Sequence, residues 1–220
     1  MSKPIVPKST FMNLSEEKRS RILREAVREF ADKGFQKASL NAIVARVGIA
    51  KGSLYQYFDN KEALFLFVFD RFTDLVKEVL AEAAAASLEA DFFGQVRVAV
   101  QAGLAFIDRH PEYYEIYLKL LFEQAVPQRE DLIGKVRLFS RDYFGPLCEE
   151  GRRQGQVRRD LPTEMVVFVL DAVLDRFLQG YAKSYLDSGL ALAGKSRSEL
   201  AAAVEAVIDI LRDGLAPKQG

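Results

Sequence analysis

SLNAIVARVGIAKGSLYQYFDNKEAL, residues 39–64, is the stretch whose reading decides the fold. Ser39 suits an N-cap, and Leu40, Ile43, Val44 and Val47 follow at i, i+3, i+4 and i+7, the apolar stripe of an amphipathic helix. Gly48 then stops that helix, because glycine tolerates the left-handed conformation at C′ and lets Ile49 fold back onto the turn it has left. Asn60 caps the next long helix, so the one between is brief. Over residues 50–58, a rotation of about 100° per residue turns Ala50, Leu54 and Phe58 inward and Lys51, Gly52, Tyr55 and Gln56 outward. The outer face is therefore cationic and hydrogen-bonding around a glycine that admits a close neighbour. Lys51 suits phosphate or a guanine edge, Gln56 an adenine, and Tyr55 a thymine methyl or a phosphate oxygen. Read plainly, this is the solvated face of one helix in a bundle. The conjunction of cap, glycine turn, exposed glycine and aromatic side chains favours a DNA-reading helix-turn-helix.

Residues 21–66 resemble the N-terminal domain of the tetracycline-repressor (TetR) family of bacterial transcription regulators. The matching residues are Ile22-Leu23-Arg24-Glu25-Ala26, Phe30, Lys33-Gly34-Phe35, Ser39-Leu40, Ile43-Val44, Val47-Gly48-Ile49, 51–58 (KGSLYQYF) and Lys61-Glu62-Ala63-Leu64. The resemblance implies a helix-turn-helix domain on an all-helical, dimeric regulatory domain whose sequence varies with the effector. Carried over by position, Ser39 and the helix start it caps meet phosphate, and Asn41 lies near base edges. Lys51, Gly52, Ser53 and Tyr55 form the reading surface, while Tyr57 and Lys61 touch the DNA backbone. The helical wheel places Tyr57 at the inner edge of its helix, so its contact with DNA rests on the resemblance alone.

The composition narrows the alternatives. With 220 residues, 49% of them apolar, the chain can build one large or two small cores. A single cysteine, Cys148, excludes an internal disulfide framework, and with a single histidine it leaves no zinc ligand set; no cofactor is expected. Residues 1–18 lack the apolar core of a signal peptide, and the runs 63–69 and 165–170 are too short to span a bilayer, so a soluble cytoplasmic protein without a membrane partner is expected. The formal net charge is zero, but residues 1–62 carry +5 and the remainder −5. A basic head on an acidic body suits binding of DNA by one end, since neutralised phosphates supply the sequence-independent affinity.

Organisation along the chain follows from caps and breakers. Residues 1–14, with Pro4 and Pro7, read as a flexible arm. Residues 15–62 form a three-helix DNA-binding domain, its first helix capped by Ser15, striped by Ile22, Leu23, Ala26, Val27 and Phe30, and ended by Gly34-Phe35. Residues 63–220 form a larger helical effector-binding and dimerisation domain. A connector helix runs over 61–86, apolar almost all round in its first half, and further helices are expected over about 91–109, 111–124, 128–154, 163–186 and 197–214. His110-Pro111 and Val126-Pro127 punctuate them, and Gly145-Pro146 is expected to kink the long one. The fold class is all-α. Helix-turn-helix units work in pairs on half-sites about 34 Å apart, so the apolar stripes of the last two helices, with Val173, Phe177, Val204, Val207 and Leu211, are assigned to a homodimer contact, as the resemblance also implies.

Two other patterns carry chemistry. Residues 189–196, GLALAGKS, match the phosphate-loop pattern GxxxxGK[ST], which requires a strand before the loop and parallel strands beside it. Helical spacing precedes it and few residues follow, so Gly189 reads as a helix end and Ser196 with Glu199 as a capping box. Asp171 and Asp175, one turn apart, suggest paired carboxylates, for which solvent or an arginine across the dimer is the simpler partner. No nucleophile-histidine-acid arrangement supports an enzyme. Aromatic side chains crowd the middle helices, and an apolar cavity with a few polar groups suits a small molecule; Phe67, Phe106, Tyr117, Phe139 and Asp171 are the expected wall. The reading is a dimeric regulator, most simply a repressor that binds a palindromic operator in double-stranded DNA and leaves it when a lipophilic or aromatic effector binds. The rivals are a body that binds a protein partner and a phosphate-loop nucleotide-binding protein.

Overall fold

The computed structural model describes residues 7–216, and all regular structure among them is helical. Ten α-helices follow in order: α1 Ser9–Met12, α2 Glu16–Lys37, α3 Leu40–Val47, α4 Lys51–Tyr57, α5 Lys61–Ala86, α6 Phe92–Arg109, α7 Pro111–Phe122, α8 Arg129–Arg153, α9 Thr163–Ala182 and α10 Arg197–Leu215. Single 3₁₀ turns at Ser184–Leu186 and Leu192–Gly194 lie between the last two.

The start and stop signals act through the chemistry that made them legible. Ser15 and Ser39 accept from the backbone N–H groups of Lys18 and Ala42, Asn60 Oδ1 accepts from Ala63 at 2.8 Å, and Ser196 and Glu199 close a reciprocal capping box. Gly48, at φ 72°, ψ 38°, is left-handed, and Ile49 N–H returns to the Val44 carbonyl at 3.1 Å. Gly34 ends the regular part of α2 with φ 68° but ψ 173°, a different turn from that at Gly48.

Several expected boundaries shift. The helix expected over 163–186 stops at Ala182, because Lys183 turns extended (φ −139°) into a 3₁₀ turn. Pro127 lies before Gln128, whose φ is 51°, and α8 begins only at Arg129, so this proline is outside the helix. Helix α8 continues through Pro146. The arm expected over 1–14 is corrected for its described part: residues 9–12 are helical, and Phe11 is 2% exposed against the rings of Tyr57, Phe58 and Phe67. Residues 1–6 lie outside the described residues.

The chain divides into two compact units, along a line different from the 62/63 boundary. The first runs to Leu75 and includes His110–Gly134; the second takes Val76–Arg109 and the chain from Lys135 onward. The first half of α5 belongs to the head because Leu64, Phe65, Leu66, Val68, Phe69 and Phe72 are buried there, Phe65 edge-on to Phe30 at 5.1 Å. Helix α7 joins that unit by packing on α2, with Ile116 and Leu120 at 1% exposure. The Glu123 carboxylate fills the space beside Gly34, where a Cβ would lie 2.2 Å from its oxygen. Any side chain at Gly34 would displace it.

In the second unit α6 packs on α9 and α10 around Phe92, Val96, Val166, Leu170, Val204 and Ile208. Phe177, Val204 and Leu211, assigned from periodicity to a dimer contact, are 6%, 1% and 4% exposed within the single chain and are its core, while Val173 and Val207 pack along the core's edge. Periodicity marks an apolar stripe without saying what covers it. The same helices also leave large apolar side chains exposed: Met165 and Phe168 (67% exposed) on α9, Ile210 (72%) on α10. The loop at 189–196 has no strand before it, and the backbone donors of Gly189 and Leu192 are taken by the buried Asp187 carboxylate at 2.9 and 3.3 Å. A carboxylate of the chain's own thus holds two of the loop's N–H groups.

Candidate nucleic-acid interface

Helices α3 and α4 meet at the Gly48 turn, and their inner faces bury Ile43, Val44, Val47, Leu54 and Tyr57. That packing orients everything else. Asn41, Lys51, Gly52, Tyr55 and Gln56 are exposed, Tyr55 at 42%, and Ser39 and Ser53 are half-buried. Ala50, read as inward, is exposed, since as N-cap it stands outside the helix it starts. A Cβ built on Gly52 meets nothing within 4 Å. The fold does not require glycine there, and the open space lies on the outer face.

Two expected backbone contacts occupy different surroundings. Tyr57 is 6% exposed, its ring 5.9 Å from Phe11, as the inner-edge placement from the wheel has it. Lys61 Nζ donates to the carbonyls of Gln36 and Ala38 at 2.9 and 3.2 Å and lies 4.7 Å from the Phe35 ring centroid. It closes the C-terminal end of α2, where carbonyls lack intrahelical partners.

The side chain that sets the angle of α3 escaped the sequence reading. Glu29, 5% exposed, accepts from Ser39 N–H at 2.9 Å through one oxygen and from Arg46 Nη2 at 2.7 Å through the other. Arg46 also bonds Glu25 at 2.9 Å, and the hydrogen bond to Glu29, with that to Glu25, keeps its guanidinium above its ordinary pKa against partial burial. One carboxylate thus ties both ends of α3 to α2. The signal in sequence was an i, i+4 pair of glutamates, Glu25 and Glu29, indistinguishable there from a solvated helix face.

The five expected effector residues are divided between the two units. Phe67, half-buried 5.4 Å from Phe11 and 5.5 Å from Phe58, and Tyr117, buried and stacked on Phe72 at 5.8 Å, belong to the first unit. Phe106, Phe139 and Asp171 belong to the second, where Phe106 is buried and the Phe139 ring lies 5.0 Å from Lys77 Nζ. Asp171 lines a cleft of about 250 Å³ between α8 and α9, together with Arg137, Ser140, Val167 and Phe168. Arg137 bridges Asp171 at 2.9 Å and Asp175 at 2.7 Å, so the arginine that neutralises this carboxylate pair comes from the same chain. Cys148 is buried, and burial pushes its thiol up to about 12, which removes it as a nucleophile near neutrality.

A short helix whose exposed face is polar, cationic and open at a glycine, held across a glycine turn from a buried companion, defines a DNA-binding regulator of the helix-turn-helix class. The family model described as "Bacterial regulatory proteins, tetR family" matches residues 22–68. The solved structure of a TetR family transcriptional regulator from Chloroflexus aurantiacus J-10-FL is 30% identical, covers 97% of this chain and 100% of its own, and superposes with a TM-score of 0.73. The chain belongs to the TetR family of transcriptional regulators. The HTH-type transcriptional repressor AcnR of Corynebacterium glutamicum is 26% identical over 179 residues, 78% of this chain and 86% of the repressor. The FadR regulator of Bacillus subtilis, solved in complex with stearoyl-CoA, has a TM-score of 0.69 at 17% identity, with 89% of this chain and 98% of that one covered, a likeness of fold. Among the described residues, no helix is long and apolar enough to cross a membrane.

Proposed function

We propose that this protein is a homodimeric repressor that holds a palindromic operator through α4 and releases it when its helical body takes up a small lipophilic or aromatic molecule. The observation that carries the reading is the outer face of α4, where Lys51, Gly52, Tyr55 and Gln56 are exposed together. Lys51 and Ser53 meet phosphate or base edges, Tyr55 and Gln56 read in the major groove, and Ser39 and Asn41 meet the backbone and bases from the start of α3. Tyr57 and Lys61 support this surface from behind, through the contacts already described.

Two such heads need a shared axis, and the exposed apolar side chains Met165, Phe168 and Ile210 are assigned to the partner copy. On the effector side, the cleft sets Val167 and Phe168 beside the polar groups of Ser140, Arg141, Thr163 and Glu164 and the Arg137–Asp171 pair, a composition suited to a molecule with both an apolar and a polar part. A reducing cytoplasm suits a chain with one buried thiol, Cys148. Selection of duplexes from a random DNA pool, repeated with lipophilic and aromatic ligands, tests the whole reading. A palindromic consensus whose recovery falls with one ligand class is the expected result; no enriched sequence overturns it, and release by a protein and by no small molecule favours a partner-binding body.

A further inference from the structure

Helix α4 ends in three carbonyls without intrahelical partners, and the N-terminal segment meets all of them. The Phe58 N–H reaches back to Leu54 at 2.9 Å, so the carbonyls of Tyr55, Gln56 and Tyr57 are the ones left over. Lys8 Nζ donates to Tyr55 O at 3.0 Å, the Thr10 hydroxyl donates to Gln56 O, and the Lys8 N–H donates to Tyr57 O at 3.1 Å. Lys8 Nζ also pairs with Asp59 at 2.6 Å. Phe11 seals the junction from below against Tyr57, Phe58 and Phe67, and Arg19 of α2 donates to the carbonyls of Met12 and Leu14, which fastens the far end of the segment to the head.

A helix of seven residues is marginal alone, since each end leaves backbone groups unsatisfied and few internal bonds offset them. Two of the three donors are side-chain groups, of Lys8 and Thr10, so these contacts can be removed without altering α4 itself. We infer that residues 8–11 are a positioning element for DNA recognition: they hold the last turn of α4, and with it Tyr55 and Gln56, in register for reading bases. The inference rests on the proposed role of α4. Loss of the element degrades discrimination between operator and unrelated duplex while leaving the general attraction to phosphate in place.

The experiment uses the full chain with Lys8→Met and Thr10→Val combined, beside the conservative pair Lys8→Arg with Thr10→Ser. Affinity is measured by salt titration on the duplex the parent selects from a random pool and on a scrambled duplex of equal length and composition. Amide exchange is followed without DNA. Expected for the first variant is a loss of about tenfold on the selected duplex, little change on the scrambled one, an unchanged salt slope, and faster exchange at Phe58 but not at Val47 or Gly48. The conservative pair restores binding. An equal loss on both duplexes with the salt slope reduced by about one would make Lys8 a direct phosphate contact and overturn the inference. Parent-like binding, or faster exchange throughout α2 and α3, overturns it too. A parent that selects no duplex defeats the reading of α4 itself, whereas a parent that selects one while the variant matches it defeats only the positioning role.

Discussion

Gly52 sits in a helix with nothing within 4 Å of the Cβ it lacks, so its cost in backbone entropy has no compensating contact inside the chain. Gly52→Ala is expected to raise stability by about 0.5–1 kcal/mol in a denaturant titration. If α4 lies against a duplex, the same methyl obstructs the approach, and operator binding should weaken by about 1–3 kcal/mol. A variant that gains stability and keeps full affinity would place the duplex elsewhere. Lys61 makes the opposite case. Its ammonium is spent on the carbonyls of Gln36 and Ala38, so Lys61→Met should lower stability by about 1 kcal/mol and leave the salt slope of DNA binding unchanged. A slope reduced by about one would restore it as a phosphate contact. The exposed residues of α4 were legible in sequence because one rotation per residue assigns each a face. Glu29 and Lys61 were not, because their partners lie on other helices, and a charged residue at the right spacing looks the same whether its head group meets water or a carbonyl.

At the scale of elements, caps carried the sequence reading furthest, because a cap is local chemistry within four residues. Ser196 shows what such a signal is worth. Its hydroxyl accepts from Glu199 N–H at 3.3 Å and donates to the Glu199 carboxylate at 2.6 Å, while Ser196 N–H donates to that carboxylate at 2.8 Å. Ser196→Ala should therefore cost roughly 0.5–2 kcal/mol. The hydroxyl and N–H of Ser196 hold the Glu199 carboxyl below its ordinary value of 4.5. A carboxyl with a folded value below its unfolded one stabilises above the unfolded value and loses that contribution as pH falls through the folded one. The gap between parent and Ser196→Ala should narrow in acid, and a constant gap in thermal melts from neutral to strongly acidic pH would remove Glu199 from the cap. What local chemistry could not reveal was the assignment of elements to units. Helix α7 reads as a body helix by position, and only the packing of Ile116 and Leu120, with Glu123 seated at Gly34, puts it with the head. The segment 8–12 read as an arm because two prolines and two lysines, Pro4, Pro7, Lys3 and Lys8, stand in or near it; its order depends on Phe11 meeting three rings from α4, its C-cap Phe58 and α5.

At the scale of the whole molecule, the proposed regulation requires that two heads be held at one spacing and that a ligand change it. A ligand acts only by binding the released state more tightly, and a hundredfold change in operator affinity corresponds to about 2.7 kcal/mol of coupling. In that reading both requirements rest on a partner copy, and the buried and the exposed apolar residues of α9 and α10 have separable roles. Leu211 is 4% exposed in the core, whereas Phe168 and Ile210 are 67% and 72% exposed on the other face. Leu211→Asp places a charge among apolar side chains and should unfold the protein, an outcome that says nothing of assembly. Phe168→Asp with Ile210→Asp places charges where a single chain already meets water. The double variant should keep its helical circular dichroism and melt cooperatively, yet run as a monomer in light scattering. Deprived of its partner, each head would hold one half-site alone, and operator affinity should fall by at least about a hundredfold. A folded dimer that survives both aspartates would remove these exposed side chains from the subunit contact and leave α9 and α10 as core helices only.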